Sequence, residues 1–85
     1  MTNKISQNAI NKIACLIKSG NLFAARKDVV NALKKDEDSL FLLSSLALIL
    51  FKEGKLDESI EVSNKILLLD SNNIDALLNI GNSLK

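Results

Sequence analysis

The sequence predicts an all-α chain of about five helices, arranged as antiparallel helix-turn-helix repeats stacked into a solenoid. The first observation is self-similarity at a fixed offset. Gly20 and Gly54 lie thirty-four residues apart, and Leu16 with Leu50, Ile17 with Phe51, Lys18 with Lys52, Leu22 with Leu56 and Asp36 with Asp70 match at the same spacing. A second shift pairs Leu40 with Ile74, Leu43 with Leu77, Leu46 with Ile80, Ala47 with Gly81 and Leu50 with Leu84, so the unit occurs about two and a half times. A period of this size marks an array of supersecondary units, none of which buries its apolar face without a neighbour. The second observation is helical spacing: Leu43, Leu46, Ala47 and Leu50 fall at i, i+3, i+4 and i+7 and form one stripe. The third is composition, with no proline and an ordinary apolar fraction, which favours neither disorder nor a loop-rich β fold.

Each element follows from local signals. A first helix is expected over roughly Ile5 to Ser19, broken by Gly20-Asn21, and a second over roughly Leu22 to Lys35. Asp36-Glu37-Asp38-Ser39 starts the next unit, whose leading helix carries the stripe from Leu43 to Leu50. Gly54 supplies a residue free to take the left-handed conformation that commonly ends a helix, and Asp57 and Glu58 place negative charge in the first turn of the helix that follows. Leu56, Ile60, Ser63, Ile66 and Leu67 form its packing face, and Asp70-Ser71-Asn72-Asn73 caps and turns better than it continues a helix. A fifth helix is expected over about Asn73 to Leu84. Residues 1–85 then form one domain, with repeat 1 at about 6–39, repeat 2 at about 40–73 and a half repeat at about 74–85. No linker separates two folded parts.

Eighty-five residues support a stability of only several kcal/mol, at roughly 0.05–0.15 kcal/mol per residue. The net charge is +1, although Lys4, Lys12, Lys18, Arg26 and Lys27 all precede the first acid, Asp28. These cations neither cluster nor interleave with aromatic residues, so they read as a solvated helix face and no nucleic-acid partner is expected. Cys15 is the single cysteine and there is no histidine, which leaves no internal disulfide, no metal site of the Cys/His kind and no Ser-His or Cys-His pair. A reducing, cytoplasmic setting fits, with Cys15 expected buried or half-buried in an apolar helix. The most hydrophobic run, Leu40 to Phe51, would span about 18 Å as a helix, short of the ~30 Å hydrocarbon core, so it reads as a core helix. The N-terminal residues show no secretory signal pattern, and no membrane association is expected.

Together these residues resemble the tetratricopeptide repeat, a family of thirty-four-residue helix-turn-helix units stacked into a right-handed superhelix. The resemblance covers almost the whole chain and is carried best by Lys52-Glu53-Gly54-Lys55-Leu56-Asp57-Glu58-Ser59-Ile60. The family pattern has large apolar residues where Leu43, Leu46 and Leu50 stand, a small one at Ala47, glycine at Gly54 and a small residue at Ser59. In the first unit the small position is Ala25, which with Ser59 is expected to let paired helices approach closely. The departures are Lys12 in place of an apolar residue, Val29 and Ser63 in place of an aromatic, and Glu37 and Ser71 in place of proline. Gly81 falls at the small position of the third unit and is expected to touch the preceding helix. A phosphate-binding role is disfavoured, because no glycine-rich loop follows a strand.

The resemblance implies a noncatalytic protein-protein interaction module that binds a peptide or helix on a concave face lined by the first helix of each unit. The residues implied there are Ile10, Ala14 and Ile17, then Phe41, Ser44, Leu48, Phe51 and Lys52, then Leu78 and Asn82, with Asp75 beside them. Such a face is mostly apolar and suits an amphipathic helix. The alternative use of Leu48, Phe51 and Leu78 is to pack on one another or on further repeats. No cationic clamp for a chaperone's C-terminal carboxylate is present, since Ile10, Ala14, Leu48 and Asp75 occupy the relevant positions. No cofactor is implied, and self-association through the C-terminal half repeat around Leu78 is expected. The other reading of the whole is an N-terminal fragment of a larger bacterial glycosyltransferase or sulfotransferase, whose catalytic domain would lie elsewhere. Asp57, Glu58 and Glu61 follow helix-surface spacing, which favours a solvated acidic face over general acid-base chemistry, and Lys65 is placed to pair with Glu61.

Overall fold

In the computed structural model, which describes residues 6–83, every regular element is an α-helix. The helices are α1 (Gln7–Lys18), α2 (Leu22–Leu33), α3 (Leu40–Lys52), α4 (Leu56–Leu69) and α5 (Ile74–Ser83). All five expected helices are present, slightly shorter than anticipated; Ile5 and Leu84, the outermost expected helical residues, lie outside the described residues. Each helix packs on its neighbour in sequence, and α3 packs on α5 as well.

The two glycines end their helices by the same device. Gly20 and Gly54 both hold φ at +81°, the left-handed region where a side chain is strained. Around the first, the Gly20 amide donates to the Ile17 carbonyl (3.1 Å) and the Asn21 amide to the Leu16 carbonyl (2.9 Å). Around the second, Gly54 donates to Phe51 (3.1 Å) and Lys55 to Leu50 (2.9 Å). These are the paired bonds of a Schellman cap, which satisfy carbonyls that a helix end otherwise leaves open. The chain then reverses within two residues and α1–α2 and α3–α4 close as hairpins.

The junctions between hairpins repeat too. Ser39 donates its amide to the Asp36 carbonyl and Asn73 to the Asp70 carbonyl, at 3.3 and 3.1 Å. Each then caps the helix it precedes: Ser39 Oγ accepts from the Leu42 amide at 3.3 Å, and Asn73 Oδ1 accepts from the Ala76 amide at 2.9 Å. Aspartate at the start of the turn and a capping side chain at its end thus make the bend that proline makes in the pattern the sequence resembles.

One core joins the first three helices through Ile13, Ala25, Val29, Leu42 and Ile49. A second joins α3, α4 and α5 through Leu43, Ile66 and Ala76, and Leu33 touches both. Helix α3 therefore contributes to both cores, with Leu42 and Leu43 pointing to opposite ones. That is why the run from Leu40 to Phe51 is apolar nearly all round, and why Leu42 and Ile49, outside the single stripe read from the sequence, are fully buried. Ala25 and Ser59 are both completely buried between paired helices, in keeping with their small size.

Several side chains sit elsewhere than expected. Cys15 is exposed, because α1 packs through Ile13, Leu16 and Ile17 and turns its Cys15 side outward. Leu77 is 52% exposed although its counterpart Leu43 is buried: Leu43 lies beneath α4, and no described helix covers Leu77 in the same way. Gly81 is also exposed, with open space where a side chain would stand, so contact with the preceding helix does not explain it. Lys12, at an expected apolar position, lies at the surface and reaches Asp28 of α2 at 3.3 Å. The second ion pair within 4 Å among the described residues is Arg26–Glu53 (3.5 Å), so Glu61 and Lys65 do not form the anticipated one. Glu53 ends α3, where the helix dipole disfavours a negative charge, and the Arg26 guanidinium offsets that cost.

Candidate functional site

Residues 41, 44, 48 and 51 recur at helical spacing along one side of α3, and residues 75, 78 and 82 do the same along α5. Because α3 and α5 both pack against α4, these two rows face a common groove of about 440 Å³. Phe41, Ser44, Leu48 and Phe51 line one wall; Asp75, Leu78 and Asn82 line the other. Beneath them lie the buried side chains of Ser63 and Ile66 from α4. Leu48 and Leu78 remain 40% and 59% exposed, so apolar surface is open to an incoming group rather than consumed by packing.

A polar network holds the two walls in register. Asn79 Nδ2 donates to Ser59 Oγ and to Ser63 Oγ, both at 2.7 Å, and Ser59 Oγ donates onward to the Ala47 carbonyl at 2.7 Å. The chain of bonds runs from α5 through α4 to α3, with both serines fully buried. A half-buried amide donating to two buried hydroxyls keeps both short bonds only in one alignment of the helices, so the network fixes the sliding position of α5 that apolar contact leaves loose. Ser63 stands where the pattern the sequence resembles has an aromatic ring. Its small side chain leaves room both for the Asn79 amide and for the depth of the groove. Sequence reading missed Asn79 and the cooperation of Ser59 with Ser63. The one available signal was a pair of serines four residues apart on the apolar face of α4.

Of the residues selected from the sequence, Phe41, Ser44, Leu48, Phe51, Leu78 and Asn82 come together in this groove. Ile10, Ala14, Ile17 and Lys52 do not line it. Ile17 is partly buried against the first core, Ala14 is exposed on α1, and Lys52 is exposed at the end of α3. The groove is thus confined to the second and third units. A second, more open cleft of about 360 Å³ lies between α2 and α4, over Leu43 and Leu46 of α3, and includes none of the selected residues.

Asp75 is the one charged side chain lining the main groove among the described residues, and it has no cation within 4 Å there. No three Cys, Asp or Glu side chains come together to hold a metal ion among the described residues. No helix among them is long and apolar enough to cross a membrane. No protein-family model matches the chain, and no curated protein matches it either.

Proposed function

We propose that this chain is a noncatalytic protein-interaction module of the tetratricopeptide type, a right-handed stack working in the cytoplasm, whose groove between α3 and α5 receives the apolar face of a partner helix. The observation that carries the reading is the groove itself. Two rows of side chains thirty-four residues apart, Phe41/Asp75, Ser44/Leu78 and Leu48/Asn82, converge on one apolar trough whose walls are pinned by Asn79. An amphipathic helix fits such a trough by inserting side chains spaced three and four residues apart. The lone carboxylate of Asp75 at one wall favours a partner with lysine or arginine beside its apolar anchors. Ser44 and Asn82 supply hydrogen-bonding groups at the wall where the partner's polar edge runs.

A fluorescence-anisotropy titration tests this with a labelled Leu/Lys amphipathic helix as probe and a Leu/Glu helix of the same pattern as control. The Leu/Lys helix binds and the Leu/Glu helix binds more weakly. Leu48→Glu or Phe51→Glu each weakens binding by about tenfold or more, equivalent to about 1.4 kcal/mol per tenfold, with far-UV circular dichroism unchanged. Equal binding by the wild type and both variants would remove the groove as the site.

A further inference from the structure

The groove has unlike ends. The chain reverses at Gly54 and again at the junction from Asp70 to Asn73, so α3 and α5 run in the same direction, and the groove between them has one mouth at their N-termini and one at their C-termini. Asp75, exposed in the opening turn of α5, lines the first mouth. The junction entering α5 adds Asp70 at the same end of the helices, and the segment entering α3 adds Asp36, Glu37 and Asp38 against Lys34 and Lys35 at the end of α2.

The second mouth is cationic. Lys52 does not line the trough but stands at its exit, exposed and one helical turn beyond Leu48 in the row Ser44, Leu48, Lys52 along one side of α3. Lys55 follows in the turn, and Glu53, the one acid between α3 and α4, is held by Arg26 at 3.5 Å. Neither Asp75 nor Lys52 has an opposite charge within 4 Å among the described residues. Both are left for a partner.

Resting on the reading of the groove as a helix-binding site, we propose that it selects its partner by direction: the bound helix runs antiparallel to α3 and α5, with Lys or Arg of its last turn against Asp75 and Asp or Glu of its first turn against Lys52. The opposite orientation sets like charges together at both mouths. Phe41 and Lys52 are eleven residues apart along α3, about 17 Å, so a partner helix of about three turns reaches both ends. The helix dipoles favour the same direction, because the partner's C-terminal carbonyls then lie at the mouth where α3 and α5 begin. An acid in the first turn and a base in the last also suit the partner's own dipole, so the charge pattern that fits the groove is one that supports the partner's helix.

The test is a fluorescence-anisotropy titration of the 85-residue chain with two labelled helices of identical composition and the same Leu anchors. One carries Glu in its first turn and Lys in its last; the other has these charges exchanged. The wild type should bind the first more tightly, by roughly tenfold at low salt, and the gap should shrink as salt rises. Because the exchanged probe is also the poorer helix, the deciding comparison is the doubly reversed chain Lys52→Glu/Asp75→Lys, in which the preference should invert while circular dichroism is unchanged. A second arm uses the wild type and does not depend on the folding of a variant. A nitroxide at the C-terminus of the first probe should broaden the amides of Phe41 and Asp75 more than those of Phe51 and Asn82, and a nitroxide at its N-terminus should do the reverse. The same preference in the wild type and the reversed chain overturns the proposal, as does equal or opposite broadening at the two mouths; binding persists in those cases, so the groove reading stands. Binding of neither probe removes that reading and the proposal with it.

Discussion

The three glycines have the same side chain and three environments of equal openness, yet they are predicted to respond to alanine with opposite signs. Gly20 and Gly54 sit at φ +81° with no atom within 4 Å of the added Cβ, so the penalty is purely that of a left-handed backbone, about 1 kcal/mol each. Gly81 is helical with the same free space, so alanine there should stabilise the helix by up to about 1 kcal/mol. Urea denaturation midpoints for Gly20→Ala, Gly54→Ala and Gly81→Ala check this directly: the first two fall and the third rises. Here the sequence was half legible. A glycine ending an apolar stripe announces its role at positions 20 and 54, because the stripe stops and a capping turn follows. At position 81 the repeat register suggested close packing with the preceding helix, and register carries no information about whether a neighbour is present.

At the scale of the element, α3 and α5 are held by different forces. Helix α3 is packed by apolar side chains on two sides, and Ile49 within it is fully buried. Ile49→Ala should cost about 2–5 kcal/mol, a large part of the several kcal/mol a chain of this size possesses, and should shift the whole unfolding transition as seen by circular dichroism. Helix α5 buries Ala76 and otherwise relies on the Asn79 amide between Ser59 and Ser63. Asn79→Ala removes both short bonds at a cost of about 1–3 kcal/mol. Its effect should be local: amide hydrogen exchange should accelerate through Ile74–Ser83 while the amides of α2 and α3 keep their protection. Uniform acceleration along the chain would mean that α5 is integral to the core instead of a docked wall. The sequence announced the burial of α3 through an apolar run with no polar face. It gave little notice of the α5 attachment, since an asparagine and two serines on helical faces look like ordinary surface residues until three helices bring them together.

At the scale of the whole molecule, a repeated hairpin and a repeated junction place α3 and α5 alongside each other with α4 beneath, and the groove follows from that geometry. The period made much of this readable: helix number and the hairpin turns rest on one offset and on the spacing of apolar positions, whereas six of the groove residues came from what the resemblance to the tetratricopeptide pattern implies. What the offset could not supply is which units cooperate. Ile10, Ala14 and Ile17 occupy the matching places on α1, but Ile17 is turned into the first core and Ala14 stands apart, so the trough forms only between the second and third units. Exposure of Cys15 has the same origin, because α1 packs through one side only and leaves the other in water. The groove is tested most directly by a ¹⁵N–¹H NMR titration of the chain with the unlabelled Leu/Lys helix. Shift changes should concentrate at Ser44, Leu48, Phe51, Leu78 and Asn82, with the Asn79 side-chain amide perturbed among them and α1 unaffected. Changes centred on α1 and α2, or none at saturating peptide, would contradict it.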